Sequence, residues 1–195
     1  MRKIKYILIF LFITSSLFSQ TLNYKIYFFG SEIGVYTAKK TSNNGHSTIV
    51  VHGKSVVWII KKYEMIFNSQ SRFTNKHLTH STSERMLNGE KKDSVIIYKN
   101  KNNKYRVFSF VKGSSIVGDI DFTGSMMYFN EPPNINKVFA DNKGYFVPIK
   151  KIKEHVFVTE DDDRNEKITY YYKNNILVKA IIEKSLFNLE MKLVK

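Results

Sequence analysis

The sequence contains no cysteine among its 195 residues. Disulfide bonds, cysteine-ligated zinc, iron–sulfur clusters and thiol catalysis are therefore excluded, as is a lipid anchor attached to a signal-peptide cysteine. Proline and glycine are also scarce, with three and nine residues respectively. Few positions interrupt a regular backbone, and a chain of this length can bury a core without covalent cross-links.

Acidic residues are few, because 17 Asp and Glu stand against 31 Lys and Arg, which gives a formal net charge of +14. Such a chain is attracted to anionic membranes, polyanionic glycans and nucleic acids. The cations are spread along the whole sequence, whereas nucleic-acid-binding proteins concentrate them on one element. We therefore interpret the charge as compositional and predict no nucleic-acid partner.

Long apolar runs are missing except near the N-terminus. Met1–Tyr6 is basic, Ile7–Ile13 is apolar, and Thr14–Ser19 carries small residues. This order predicts a signal peptide over residues 1–19, cleaved before Gln20 or one residue later. The apolar run is shorter than the roughly 20 residues that a membrane span needs, so no transmembrane anchor is predicted. We expect residues 20–195 to form one β-rich domain that is periplasmic or secreted and is not a lipoprotein.

What the mature chain does contain is repeated two-residue alternation of apolar and polar side chains, which is typical of β-strands. Asn44-Gly45, Asn88-Gly89 and Asn174-Asn175 are hairpin signals between such strands. The last strand is predicted to bury Phe187, Leu189, Met191 and Leu193 and to expose Asn188, Glu190 and Lys192. The polar stretch Leu78–Leu87 predicts a strand exposed on both faces or at a sheet edge.

The stretch 113–131 interrupts the alternation with three glycines and ends at Pro132-Pro133. One short helix is predicted there, near residues 123–129. The predicted fold class is mainly β, a curved antiparallel sheet or open half-barrel with that single helix.

No motif predicts catalysis or metal binding. Ser109 and Lys112 have the spacing of serine acyl-enzymes but lie on a strand pattern, where they point apart. Asp161–Asn165 begins like a calcium loop, but Glu166 stands where that loop needs glycine, which favours an acidic hairpin tip. We predict no catalytic residue, no metal ligand and no cofactor, and hence a protein that is not an enzyme.

Several short patterns occur in the order and spacing of a known family. They are Tyr24-x-Ile26-x-x-x-Gly30-x-x-Ile33-Gly34, the Asn88-Gly89 turn, Tyr128-Phe129-x-Glu131-Pro132 and the hairpin Tyr170–Asn175. The chain resembles the exported bacterial family called domain of unknown function 6134, which is distantly similar to lipoprotein-carrier half-barrels. The resemblance implies a curved sheet with its concave side partly filled by a helix or loop, and it implies no activity.

Two functions remain open. One is binding of a hydrophobic or amphiphilic, lipid-like ligand in the hollow of the half-barrel, and the other is a non-catalytic structural or interaction role with an envelope protein. Candidate ligand-binding residues come from one face of two strands: Tyr24, Ile26, Phe28, Tyr63, Met65 and Phe67. The same side chains would also suit an ordinary core.

Overall fold

The computed structural model describes residues 18–58, 60–100, 102, 104–185 and 187–194. The predicted signal peptide therefore lies outside the described residues, except for Phe18 and Ser19. Those two residues are the start of the first strand and pair with Ser42 and Thr41.

Within the described residues, fourteen strands make up nearly all of the regular structure. They are β1 (Phe18–Phe28), β2 (Ser31–Asn43), β3 (His46–Trp58), β4 (Lys62–Thr74), β5 (His77–Leu87), β6 (Glu90–Lys99), β7 (Tyr105–Ser109), β8 (Gly113–Val117), β9 (Lys137–Ala140), β10 (Tyr145–Lys153), β11 (Val156–Asp161), β12 (Glu166–Lys173), β13 (Ile176–Lys184) and β14 (Phe187–Leu193). Two short 3₁₀ helices occupy Ser125–Tyr128 and Asp162–Arg164.

All fourteen strands form one antiparallel sheet, in the order β8-β7-β6-β5-β4-β3-β2-β1-β14-β13-β12-β11-β10-β9. The first and last strands pair at its centre, with Ile26 opposite Met191. The sheet thus consists of two wings, β1–β8 and β9–β14, each a meander of neighbouring hairpins. The predicted curved, open half-barrel is confirmed, and so is a short helix within residues 123–129, but the second 3₁₀ helix, Asp162–Arg164, was not predicted.

The alternation of side chains separates a buried concave face from an exposed convex face. In β3, Ile49 and Val51 are buried, whereas Val50, His52 and Lys54 are exposed. The predicted hairpin turns are confirmed at Asn44-Gly45, Asn88-Gly89 and Asn174-Asn175, where both residues of each pair have positive φ. This conformation matches the twist of a two-residue hairpin turn and explains why Asn and Gly stand there.

The two edge strands, β8 and β9, are consecutive in sequence. Residues 118–136, here called the crossing segment, connect them across the concave side. This segment buries Ile120, Phe122, Met127 and Phe129 in the core and pairs with β9 through a single bridge between Thr123 and Phe139. It fills part of the hollow, as the family resemblance implies.

The wings also touch each other through the turn between β9 and β10. A Cβ atom at Gly144 would lie 2.8 Å from Val107 Cγ1 and 3.2 Å from Val95 Cγ1. The backbone of one wing therefore lies directly on side chains of β6 and β7 in the other. We call this contact the seam. It brings the wings together without strand pairing.

Two details of the prediction need correction. The expectation that Leu78–Leu87 is exposed on both faces or at an edge is wrong, because β5 lies between β4 and β6 and buries Leu78, Ser81 and Ser83. In the last strand only Met191 is fully buried. Phe187, Leu189 and Leu193 are half-buried, and so is Glu190. Among the described residues, no helix is long and apolar enough to cross a membrane.

Candidate functional site

A cavity of about 610 Å³, partly open to solvent, lies on the concave side of the sheet. Both wings and the crossing segment contribute to its wall. Its size is within the range of roughly 300–1,000 Å³ that is usual for small-molecule sites in proteins. The cavity exists because the crossing segment occupies only part of the hollow between the wings.

One part of the cavity wall is apolar. The first wing contributes Ile26, Val51, Met65 and Phe67, the second wing contributes Ile168, Ile182, Leu189 and Met191, and the 3₁₀ helix contributes Met127. Three of these nine side chains are methionines. Their unbranched, polarizable thioethers adapt to differently shaped neighbours.

Two aromatic rings stand side by side in this wall. Tyr36 and Phe67 are stacked, with ring centroids 6.1 Å apart and an interplanar angle of 14°. Tyr36 lies flat over Gly53, where a Cβ atom would come within 2.3 Å of the ring. Burial raises the pKa of Tyr36 to about 12, although the nearby charge of Arg85 opposes the shift.

The structure places three of the six predicted ligand-binding residues on the cavity wall: Ile26, Met65 and Phe67. Tyr24 is instead a core residue, whose hydroxyl donates a hydrogen bond to the Leu177 carbonyl oxygen at 2.9 Å.

The other two, Phe28 and Tyr63, lie near strand ends. Phe28 packs against Phe29 and Phe187. The Tyr63 ring lies 5.4 Å from the Lys61 ammonium. They share a face with the cavity residues of the same strands but do not line the cavity.

A second part of the wall is charged, and sequence reasoning missed it. Asp93 is only 3% exposed. Arg164 donates a hydrogen bond to its Oδ2 atom at 2.6 Å, and Arg85 Nη2 lies 3.9 Å from the same oxygen. Asp93 and Arg85 belong to β6 and β5, whereas Arg164 reaches them from the turn between β11 and β12. This ion pair therefore connects the two wings.

Next to it, Lys143 is buried between two carboxylates. Its ammonium donates to Asp161 and to Glu166, each at 2.6 Å, and the Tyr145 hydroxyl donates to Asp161 at 2.9 Å. Burial alone would raise the pKa of Asp161, but the hydrogen bond and charge of Lys143 hold it below the usual range. The pKa of Glu166 is lowered for the same reason. Burial would raise it, but the charges and hydrogen bonds of Lys143 and Lys184 outweigh that effect.

A polar strip of serines runs along β4 and β5. Ser69 and Ser83 are opposite each other and line the cavity. Ser71 and Ser81 form the next pair, with their hydroxyls 2.9 Å apart, and Ser71 donates to Asp141 Oδ2 at 2.9 Å. Burial raises the pKa of Asp141, partly offset by hydrogen bonds from Ser125 and Ser71.

The stretch Leu78–Leu87 therefore looked like an exposed strand because its inward side chains are small and hydroxylated. Its alternation of Ser81, Ser83 and Arg85 was the available signal for a polar inner face. Residues 161–165 form the turn between β11 and β12, and two of their three acids pair with lysines: Asp163 with Lys112 and Asp161 with Lys143. Within the described ranges, no three His, Asp or Glu side chains are grouped so that they could hold a metal ion.

Residues 24–194 match the family described as "Domain of unknown function (DUF6134)". The chain belongs to this family. No curated protein matches it significantly. A similar solved structure is the beta-barrel-like protein of domain of unknown function DUF1849 from Brucella abortus, with a TM-score of 0.58 at 12% identity. The match covers 91% of this DUF6134 chain and 95% of the Brucella chain, and it supports the fold alone.

Proposed function

We propose that this DUF6134 protein is an exported, non-catalytic binding protein of the cell envelope that holds an amphiphilic, lipid-like ligand in its interior cavity. The observation that carries the proposal is the division of the cavity wall into an apolar part and a charged part. An acyl chain or another apolar group fits against Phe67, Met65 and Met191, and a polar head group fits near Arg85 and Arg164.

The wall residues support binding rather than simple core packing. Phe67 is only partly buried and faces the cavity, whereas Phe73, on the same face of β4, is 3% exposed in the core. A filled core would have buried both rings to a similar extent, because protein interiors are packed close to crystal density. The three methionines suit ligands of varied shape.

The charged part of the wall favours a zwitterionic or hydroxylated head group over one that carries only negative charge. Each of Arg85, Arg164, Lys143 and Lys184 already stands beside a carboxylate. A strongly anionic group would have to displace one of these acids. A zwitterionic or hydroxylated head group can instead exchange hydrogen bonds with both charge types.

Native mass spectrometry of the protein purified from its own envelope is the first test. We expect a population carrying a bound amphiphile of lipid mass, which denaturation releases. A fluorescent fatty-acid analogue should then bind the emptied protein and be displaced by the extracted ligand.

The matched pair Phe67→Ala and Phe73→Ala separates the cavity from the core. We expect Phe73→Ala to lower the free energy of unfolding by about 3–5 kcal/mol, because it leaves a new void. Phe67→Ala enlarges an existing space, so it should cost clearly less while weakening binding of the fluorescent fatty acid. Equal stability losses in the two variants, together with a wild type that binds no amphiphile, would refute the proposal.

The alternative function, a structural or interaction protein, is favoured by a separate observation. Large apolar side chains such as Trp58 and Ile60 are exposed at hairpin tips. If that function is the correct one, no lipid accompanies the purified protein and the cavity binds no fatty-acid analogue.

A further inference from the structure

Among the described residues, three polar side-chain atoms are buried without a hydrogen-bond partner: His80 Nδ1, Asp93 Oδ1 and the Tyr172 hydroxyl. Of these residues, only Asp93 lines the cavity. It is 3% exposed, and its other oxygen, Oδ2, accepts the hydrogen bond from Arg164. A buried carboxylate oxygen without a donor is costly, and native structures rarely keep one unless another group supplies the donor.

The second cation beside this carboxylate is also incompletely paired. Arg85 Nη2 lies 3.9 Å from Asp93 Oδ2, which is beyond hydrogen-bond distance, and Arg85 forms no closer ion pair within the part of the chain that the structure describes. Its side chain is 40% exposed and lines the cavity. A guanidinium has five N–H donors, so Arg85 has donors to offer a ligand. Because no hydrogen bond holds it to Asp93, it can move when a ligand enters.

Elsewhere in the cavity wall, charged groups have closer partners. Lys143 donates to two carboxylates at 2.6 Å each, and Glu166 also pairs with Lys184 at 2.6 Å. A ligand that engaged these groups would have to break a short ion pair. The unused acceptor of Asp93 and the unused donors of Arg85 instead lie side by side, and a ligand can satisfy both while the hydrogen bond between Asp93 and Arg164 remains.

We propose that the head group of the ligand carries an ammonium group next to an anionic oxygen, as a phosphoethanolamine head group does. The ammonium donates to Asp93 Oδ1, and the anionic oxygen accepts from Arg85. This inference rests on the proposed function, which places an amphiphile in the cavity. An ammonium suits the site better than a hydroxyl, because a hydrogen bond between two charged groups is stronger than one from a neutral donor. A quaternary ammonium such as choline has no N–H and cannot form this bond.

Lysolipids that differ only in N-methylation test the need for a donor. The emptied protein is loaded with the fluorescent fatty-acid analogue. It is then titrated, below the micelle concentrations, with lysophosphatidylethanolamine, its N-methyl and N,N-dimethyl derivatives, and lysophosphatidylcholine of the same acyl chain. We expect the first three to displace the analogue similarly and the choline lipid to bind about tenfold more weakly, because only the last has lost every N–H. A gradual decline across the series would indicate a limit on size and would overturn the inference.

Asp93→Asn removes the acceptor and keeps the shape of the side chain. Its amide oxygen can still accept from Arg164, which leaves an NH₂ group at the Oδ1 position. We expect this variant to bind the fluorescent fatty acid but to lose the preference for the ethanolamine lipid. Asp163→Asn is the matched control, because Asp163 also lines the cavity but is paired with Lys112, and its preference should equal that of the wild type. If Asp93→Asn does not fold, the methylation series on the wild type still decides.

A wild type that binds the fluorescent fatty acid but does not distinguish the ethanolamine lipid from the choline lipid would overturn this inference and leave the proposed function standing. So would an Asp93→Asn protein with the wild-type preference. A wild type that binds neither the fatty-acid analogue nor any of the lysolipids would refute the proposed function itself, and the inference with it.

Discussion

A glycine determines the shape of the cavity wall at one point. Gly53 has no side chain, so the ring of Tyr36 can lie flat on β3 and stack on Phe67. Glycine normally weakens a strand, and it is tolerated where another group needs close approach to the backbone. Here that group is an aromatic ring that forms part of a ligand-sized cavity.

Gly53→Ala should therefore displace Tyr36 into the cavity. We expect a loss of about 1–3 kcal/mol in unfolding free energy from overpacking, together with weaker binding of the fatty-acid analogue. Urea denaturation and fluorescence titration measure the two effects. Gly118→Ala is the control, because no atom lies within 4 Å of the added methyl group. A Gly53→Ala protein as stable as this control would contradict the assigned role.

The buried cluster around Lys143 predicts acid sensitivity. The lowered pKa values of Asp161 and Glu166 mean that their ionised forms stabilise the folded state. This contribution is complete above the ordinary carboxylate range, near pH 4, and is lost as the pH falls through the lowered values. Lys143→Met should be less stable by about 3–5 kcal/mol at neutral pH, because the buried Asp161 loses its cationic partner and Glu166 keeps only Lys184.

The same variant should lose less stability than the wild type on further acidification, since its acids gain less from ionisation. Urea titrations of both proteins at neutral and acidic pH give the comparison. Parallel pH profiles would show that Lys143 does not stabilise these carboxylates.

Sequence reasoning identified cavity residues only where alternation was sufficient. Ile26, Met65 and Phe67 follow from the inward face of β1 and β4. Strand alternation does not predict the charged residues Arg85, Asp93 and Arg164. Arg164 and Asp93 are 71 positions apart, and their ion pair depends on how the two wings come together. The alternation of apolar and polar side chains along one strand does not indicate which residues of the two wings come into contact.

At the level of strands, the sequence predicts the turns better than it predicts which strands are neighbours in the sheet. Asn-Gly and Asn-Asn pairs marked three hairpins because their backbone geometry is local. The place of β5 inside the sheet was missed, since its inward serines resemble surface residues. The central position of β14 could not be predicted from the sequence either, because it arises from pairing with β1 at the opposite end of the chain.

Removal of β14 should therefore divide the sheet rather than trim its edge. We expect a chain that ends at Lys184 to lose cooperative unfolding, because β1 and β13 both lose their partner at the centre. Circular dichroism and urea denaturation measure this. A chain that ends at Leu193 is the control, since it keeps β14 and, among the described residues, loses the hydrogen bond from Val194 to Asn23. A cooperative transition in the shorter chain would contradict the central role of β14.

At the scale of the whole molecule, the cavity depends on the seam between the wings. Strand pairing leaves the sheet open, and the turn that contains Gly144 covers the gap by resting on β6 and β7. Anything that lifts this turn should widen access to the cavity without separating any strand pair.

Gly144→Ala should lift the turn. Its φ of +82° already disfavours a side chain, and the added methyl would lie too close to Val107 and Val95. Gly113→Ala is the matched control, because φ is +75° but no atom is within 4 Å. We expect Gly113→Ala to cost about 1–2 kcal/mol from backbone strain alone, and Gly144→Ala to cost more and to speed release of the fatty-acid analogue. Equal release rates would show that the seam does not control access.

The pairing of β1 with β14 also affects the order in which the strands can pair during folding. Hairpins within each wing can form as soon as their own residues are available, since their contacts are local. The β1–β14 pairing instead closes a loop that contains nearly the whole described chain, so it must await the arrival of the final strand. A polypeptide made from its N-terminus can therefore form the first wing early, but the two wings join into one sheet only when the last strand is available.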